Sequence, residues 1–255
     1  MWQDAKMLNM IANVLLGLFV LALLASGLWW VVQRPMFAIK MIHVYGMEKT
    51  ELRHVNALTV RSTALPRLKG NFFTANLDSV RAAFESVPWV RRASVRREWP
   101  DKLIVTIEEH QPLGTWRDDG RLVSVKGDVF TANMAEAEED GELLKFYGPD
   151  GSEKNVVERY DELRTGFAKL NLVPEMVQLS DRYAWSVRMK NGMTVEFGRE
   201  QNTTTTELMN RLVGIYPQLA ERLRNRIQSI DMRYPNGLAL KASGMAFMAD
   251  GKPKK

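Results

Sequence analysis

The chain contains no cysteine, which removes disulfide scaffolds, thiol nucleophiles and cysteine-ligated metal sites together. That absence is compatible with an oxidising compartment without demonstrating one, since many cytosolic domains also lack the residue. Histidine is scarce too. The three present, His43, His54 and His110, fall in no zinc-ligand spacing, and H-E-x-x-H is missing. There is no G-x-S-x-G elbow, and no serine is followed three residues later by lysine, so serine acyl-transfer motifs are absent. No glycine-rich phosphate loop of the P-loop or dinucleotide type occurs. Paired carboxylates occur at Glu108-Glu109 and Asp118-Asp119. Glu108 and Glu109 lie in a strand pattern, where neighbours point to opposite faces, and Asp118-Asp119-Gly120 carries a turn signature. The expectation is a protein that is not an enzyme and holds no cofactor or metal.

Charge is missing from one stretch entirely, Met7 to Gln33. Within it Val14 to Val32 is almost wholly Leu, Val, Phe, Ala and Trp, with Gly17, Gly27 and Ser26 as the small or polar exceptions. Roughly 20 residues at 1.5 Å rise span about 30 Å, the thickness of a bilayer core. Trp29 and Trp30 close the run, where indole rings favour the lipid–water interface. The run exceeds the apolar core of about 7–15 residues in a signal peptide, and Ala22-Leu23-Leu24-Ala25 is a poor cleavage match. We read a single-pass anchor carrying a folded domain. Lys6 and the amino terminus stand against Asp4 before the span, and Arg34 and Lys40 follow it, so charge counting leaves the orientation open.

Elsewhere the balance is mildly basic, with a net charge of +5. The cluster Arg91, Arg92, Arg96 and Arg97 is interrupted by Glu98 and Asp101 and lacks interleaved aromatics, so nucleic-acid binding is not expected. The acidic stretch Glu136 to Glu142 reads as an exposed loop.

Beyond the span the pattern predicts a strand from Ile39 to Val44, ended by Gly46, then a short helix over Lys49 to Leu58. Asn76 caps a clearer helix whose buried face is Leu77, Val80, Phe84 and Val87, ended before Pro88. Strands follow at Val90 to Glu98 and Leu103 to Glu109, giving β-α-α-β-β up to a boundary near His110-Gln111-Pro112. The remainder is strand-rich and contains two helices. The first carries the stripe Val156, Tyr160, Leu163, Phe167 and Leu170, with Asn155 and Glu158 as cap and partner. The second opens with the capping-box pair Thr204 and Glu207 and buries Leu208, Leu212, Ile215, Tyr216 and Leu219. Lys190-Asn191-Gly192 joins Trp185–Met189 to Met193–Phe197 as a hairpin. Pro235-Asn236-Gly237 joins Ser229–Tyr234 to Leu238–Lys241 as the last one. The fold class is α+β, and the basic tail from Gly251 to Lys255 reads as disordered.

Several stretches together resemble one family. They are Gly70-Asn71-Phe72-Phe73, the run from Val87-Pro88-Trp89 to Trp99-Pro100-Asp101-Lys102-Leu103, Glu108-Glu109-His110-Gln111-Pro112, Phe197-Gly198-Arg199, and Asp231-Met232-Arg233-Tyr234 with Gly237. In that order, behind a short tail and one span, they resemble the bacterial FtsQ/DivIB family of cell-division proteins. The resemblance implies a cytoplasmic tail (1–12), a transmembrane helix (13–33), a POTRA domain (36–111), a β domain (112–249) and a disordered tail (250–255). It implies a non-enzymatic divisome scaffold in the inner membrane, single-pass and type II, with its bulk in the periplasm at the septum. Its partners would be FtsB-like and FtsL-like proteins, with other divisome contacts through the POTRA domain or the span left open. Carried onto matching positions, the partner-binding residues would be Arg199, Arg233, Tyr234, Asn236 and Gly237. From the residues themselves, Leu238 to Lys241, including Leu240, would be the sheet edge that accepts a partner strand. Ala242 stands where some members have an aromatic, with Phe247 farther on. The alternative is a POTRA-containing transport or outer-membrane assembly factor. Those proteins carry the domain in tandem or ahead of a barrel, and neither pattern occurs here.

Overall fold

The computed structural model describes residues 2–47, 51–200, 203–223, 226–234 and 237–243. The expected disordered tail, Asn236 and Phe247 therefore lie outside the described residues. The chain divides into two compact units, residues 1–109 and 110–255, and its class is mixed α+β.

Unit one opens with α1 (Trp2–Val32), in which Lys6–Val32 has a mean hydropathy of 2.4 and no residue of its apolar stretch is buried. Among the described residues it is the one helix long and apolar enough to cross a membrane. Behind it come β1 (Met41–Gly46), α2 (Ala57–Thr63), α3 (Leu77–Glu85), β2 (Val90–Glu98) and β3 (Lys102–Glu109). They form a three-stranded sheet in the order β1-β3-β2, with β1 parallel and β2 antiparallel to the central strand. Leu103, Val105 and Ile107 of β3 are fully buried, beside Val80 and Phe84 of α3. Asn76 caps α3 through the N–H groups of Asp78 and Ser79, as its position predicts.

Of the helix expected over Lys49 to Leu58, the first residues, Lys49 and Thr50, lie outside the described residues, and the described helix begins at Ala57. Asn56 caps it by accepting from the Thr59 N–H. Glu109 holds the residues just before it by their amides. Its carboxylate accepts from the N–H groups of Arg53 (2.8 Å), His54 (3.0 Å) and Val55 (2.6 Å). Glu108 instead pairs with Arg91 at 3.0 Å, so the adjacent carboxylates serve separate structural roles. Val87, expected on the buried helical face, is buried in the turn beyond α3.

Unit two contains β4 (Pro112–Trp116), β5 (Arg121–Ser124), β6 (Val129–Phe130), α4 (Met134–Glu139), β7 (Leu144–Tyr147) and α5 (Glu153–Lys169). It continues with β8 (Pro174–Leu179), β9 (Trp185–Met189), β10 (Thr194–Gly198), α6 (Thr205–Arg222), β11 (Ile227–Asp231) and β12 (Ala239–Ala242). Among the described residues nine strands make one sheet in the order β12-β11-β10-β9-β8-β7-β4-β5-β6. The hairpin expected around Asn191-Gly192 is the antiparallel β9–β10 pair. Trp116, Phe146, Phe167, Phe197, Leu163 and Leu212 are fully buried and join the sheet to α5 and α6. Close approach of the two helices depends on Gly166, where an added Cβ would lie 2.6 Å from the Met209 side chain.

Three local expectations change here. The acidic stretch read as a loop contains α4, because Asn133 caps it through the Ala135 N–H and Ala137 is buried. Helix α5 starts at Glu153, so Asn155 lies inside it and is not its cap. Ser152 occupies the cap position but donates its hydroxyl to the Pro149 carbonyl. In the last hairpin β11 stops at Asp231 and β12 starts at Ala239, leaving Arg233, Tyr234 and Leu238 in the connection. The capping box of α6 is formed as expected, Thr204 and Glu207 each accepting from the other's N–H.

Candidate functional site

The sheet of unit two ends on one side at β12, which pairs only with β11 among the described residues. Strand alternation decides which backbone groups face outward. In the register Ser229↔Lys241, Ile230↔Leu240 and Asp231↔Ala239, hydrogen-bonded pairs must alternate with non-bonded ones. The Met232 N–H donates to the Glu196 carbonyl on the β10 side, so Ser229 and Asp231 turn their backbone toward β12. The Ser243 N–H donates inward to the Arg226 carbonyl, which gives the same phase from the other strand. Ala239 and Lys241 therefore bond to β11, while the N–H and C=O of Leu240 and Ala242 point away from the sheet. Side chains alternate as well: Ala239 and Lys241 are exposed, Leu240 is half-buried and Ala242 is buried.

The connection that leads into this edge is held by a residue that sequence reasoning missed. Arg211, on α6, donates from Nη2 to the carbonyls of Met232 (3.0 Å), Tyr234 (3.0 Å) and Gly237 (3.3 Å). One guanidinium thus ties both arms of the turn to the helix. Nothing in the sequence marks it, because its partners are main-chain carbonyls that any residues would supply.

Of the expected binding residues, Arg199, Arg233 and Tyr234 line one shallow depression of about 510 Å³ beside β10 and β11. Tyr234 is 54% exposed, so it does not close the core at the turn. Leu238 is half-buried against the hydrophobic core, Gly237 is exposed, and Asn236 lies outside the described residues. Arg182, which the sequence did not single out, lines the same depression from the β8–β9 turn. Neither Arg182 nor Arg199 takes part in an ion pair among those described.

Arg233 differs from them. Its Nε donates to both carboxylate oxygens of Asp231, at 2.9 and 3.0 Å, and its own N–H donates to Asp231 Oδ1 at 3.0 Å. Its aliphatic stem lies over Gly198, where a Cβ would come within 2.6 Å of Cγ. These bonds hold the Asp231 carboxyl below the usual carboxylate range and raise the guanidinium. Burial raises the neighbouring Glu196 carboxyl, and the Arg233 charge opposes that shift.

The sign of the Asp231 effect sets a pH test. A depressed folded value contributes stability that is complete above the unfolded value near 3.8 and fades as pH falls through the lower folded value. Arg233→Leu is therefore expected to destabilise unit two near neutral pH. The wild-type advantage should narrow below pH ~4 and vanish in stronger acid. Urea titrations across that range check it, and an advantage that grows in acid would contradict it.

An apolar helix ahead of a small β-α-α-β-β unit and a strand-rich unit defines a membrane-anchored POTRA protein. Residues 37–110 match the domain described as "POTRA domain, FtsQ-type", and residues 114–233 match "Cell division protein FtsQ/DivIB, C-terminal". Relatives extend over nearly the full length. The cell division protein FtsQ of Burkholderia pseudomallei is 49% identical over 251 residues, covering 98% of each chain. That of Bordetella pertussis is 42% identical over 253 residues, covering 94% of this chain and 92% of the relative. The Neisseria gonorrhoeae protein of the same name is 29% identical over 255 residues, covering 100% and 98%. The chain belongs to the FtsQ/DivIB family of cell-division proteins. The second match ends at residue 233, so it includes Arg199 and Arg233 but stops before β12.

Proposed function

We propose that the chain is a non-enzymatic scaffold of the division septum, anchored in the inner membrane by α1 with both folded units in the periplasm. The outer edge of β12 captures an FtsB-type partner as an added strand. An FtsL-type protein arrives with it, and early division proteins are thereby linked to late ones. One observation carries this reading: the outward N–H and C=O groups of Leu240 and Ala242 stand on the edge strand of a long sheet, and Arg211 braces the turn that leads into it. Main-chain bonds along such an edge supply affinity, and side-chain pockets supply specificity. Tyr234 offers an exposed aromatic anchor beside it, and Arg182 and Arg199 favour an acidic partner segment.

Two measurements test this. Tyr234→Ala in the full-length protein is expected to weaken binding of an FtsB-type periplasmic segment about tenfold or more by calorimetry, as for a hot-spot aromatic. Unchanged affinity would move the site elsewhere. Depletion in cells should give filaments without septa. Loss of outer-membrane proteins with normal septation would instead indicate a polypeptide-assembly role.

A further inference from the structure

The Gly70-Asn71-Phe72-Phe73 stretch takes no part in the proposed partner edge, yet it is held by a dense set of hydrogen bonds. Asn71 Oδ1 accepts from the N–H groups of Phe73 and Thr74 and from the Thr74 hydroxyl, each at 3.0 Å. Its Nδ2 donates to the carbonyl of Val32, the last residue of α1, at 2.7 Å. The Phe72 N–H donates to the Phe37 carbonyl at 2.8 Å. Arg97 completes the brace, donating to the carbonyls of Phe72 and Ala75 at 2.6 Å each. The turn is thereby fixed to the end of the apolar helix.

The side chains it presents there are aromatic. Phe73 packs edge-on against Phe37, with ring centres 5.0 Å apart, and Trp99 packs against Phe72 at 5.7 Å. Despite these contacts Phe73 remains 46% exposed and Trp99 66%. A water-facing surface would not favour two large rings in this position, held from three separate parts of the chain. The level at which they sit does favour them. Val32 follows Trp29 by three residues, about 4.5 Å of helix rise. Trp29 and Trp30 mark the membrane interface, and the headgroup zone extends about 5–7 Å beyond the hydrocarbon on each side. A turn bonded to Val32 therefore lies within or against that zone. Arg34 stacks over the Trp30 ring at 3.4 Å, an arrangement in which a cation at the helix end reaches the headgroups.

We propose that Phe37, Phe73 and Trp99 form a lipid-interface anchor through which the first folded unit rests on the bilayer surface at the end of its own membrane helix. The occupant is the bilayer interface itself. Aromatic rings supply the attraction, so the contact does not require anionic lipid. The consequence is orientational: the Asn71–Val32 bond and the aromatic patch hold the unit at a defined tilt to the membrane, not on a free tether.

The proposal rests on α1 spanning a membrane, and the experiment separates the two. Because the chain has no cysteine, single cysteines can be introduced without altering others. Leu21→Cys, Phe73→Cys, Trp99→Cys and Arg92→Cys would be spin-labelled in the full chain, one copy per nanodisc of zwitterionic lipid. Collision with oxygen would be compared with collision with a water-soluble nickel chelate. Arg92 lies seven residues from Trp99, mostly along β2, about 23 Å away, and should read as aqueous. Leu21 should read as deep lipid, and Phe73 and Trp99 as interfacial, with oxygen collisions several-fold favoured over the Arg92 label. If Leu21 reads as lipid while 73 and 99 match Arg92, the span stands and the anchor is overturned. If 73 and 99 are shielded from both reagents, the patch faces protein, and the proposal fails in favour of a protein contact. If Leu21 itself reads as aqueous, the spanning reading fails and the anchor with it.

Discussion

Leu240→Pro is expected to weaken partner-strand capture about a hundredfold while leaving unit two folded. Proline at this position removes an N–H that faces away from the sheet, and edge strands tolerate that loss. The β11–β12 bonds are made by Ala239 and Lys241, so the hairpin keeps its own ladder. An incoming strand meets a missing donor and a ring in its path. Leaving the incoming strand's carbonyl without its donor costs about 1–3 kcal/mol, and with the steric clash the loss reaches roughly two orders of magnitude in affinity. Lys241→Pro supplies the contrast. It removes an inward donor, so it should lower the thermal transition of unit two as well as binding. Calorimetric titration beside thermal unfolding of both variants checks the pair. Equal binding by wild type and Leu240→Pro would mean that β12 does not receive a strand.

The second large effect falls in unit one. Glu109→Ala should destabilise that unit by about 3 kcal/mol, because one carboxylate serves three amides, those of Arg53, His54 and Val55. A hydrogen bond to a charged group contributes about 1.5–3 kcal/mol, and partly buried donors left without an acceptor incur their desolvation cost. Solvent reaches the exposed Arg53 amide, so the three contributions do not add in full. Glu109→Gln keeps an acceptor in place and should lose about half as much. Equilibrium denaturation, with amide exchange at residues 53–55, measures both. A change within ~0.5 kcal/mol for the alanine variant would show that the loop is held by packing alone.

Legibility in the sequence followed locality. The capping box of α6 and the β9–β10 hairpin depend on residues within a few positions of one another, and they form where the pattern puts them. The β-α-α-β-β order was readable for the same reason, as was the apolar helix. What escaped depends on distant partners. The residues just before α2 are held by Glu109, more than fifty residues away, and the last turn is braced by Arg211 on α6. Arg182 reaches the depression near Arg199 only because β8 and β9 place their turn beside the end of β10. Asn155 has the chemistry of a cap, but the Pro149–Ser152 turn puts the cap position of α5 at Ser152, three residues earlier. The candidate arginines looked equivalent in sequence. In the fold Arg233 is committed to Asp231, whereas Arg199 lines the depression in none of the described ion pairs.

The most direct test of strand capture is amide hydrogen exchange along β12, with and without an FtsB-type periplasmic segment. In the unbound protein Ala239 and Lys241 should already be protected by β11, while Leu240 and Ala242 exchange quickly. Saturating partner should protect Leu240 and Ala242 by at least about tenfold and leave the other two little changed, since only outward groups gain bonds. Binding with no new protection at Leu240 and Ala242 would contradict the account and place the partner on another surface.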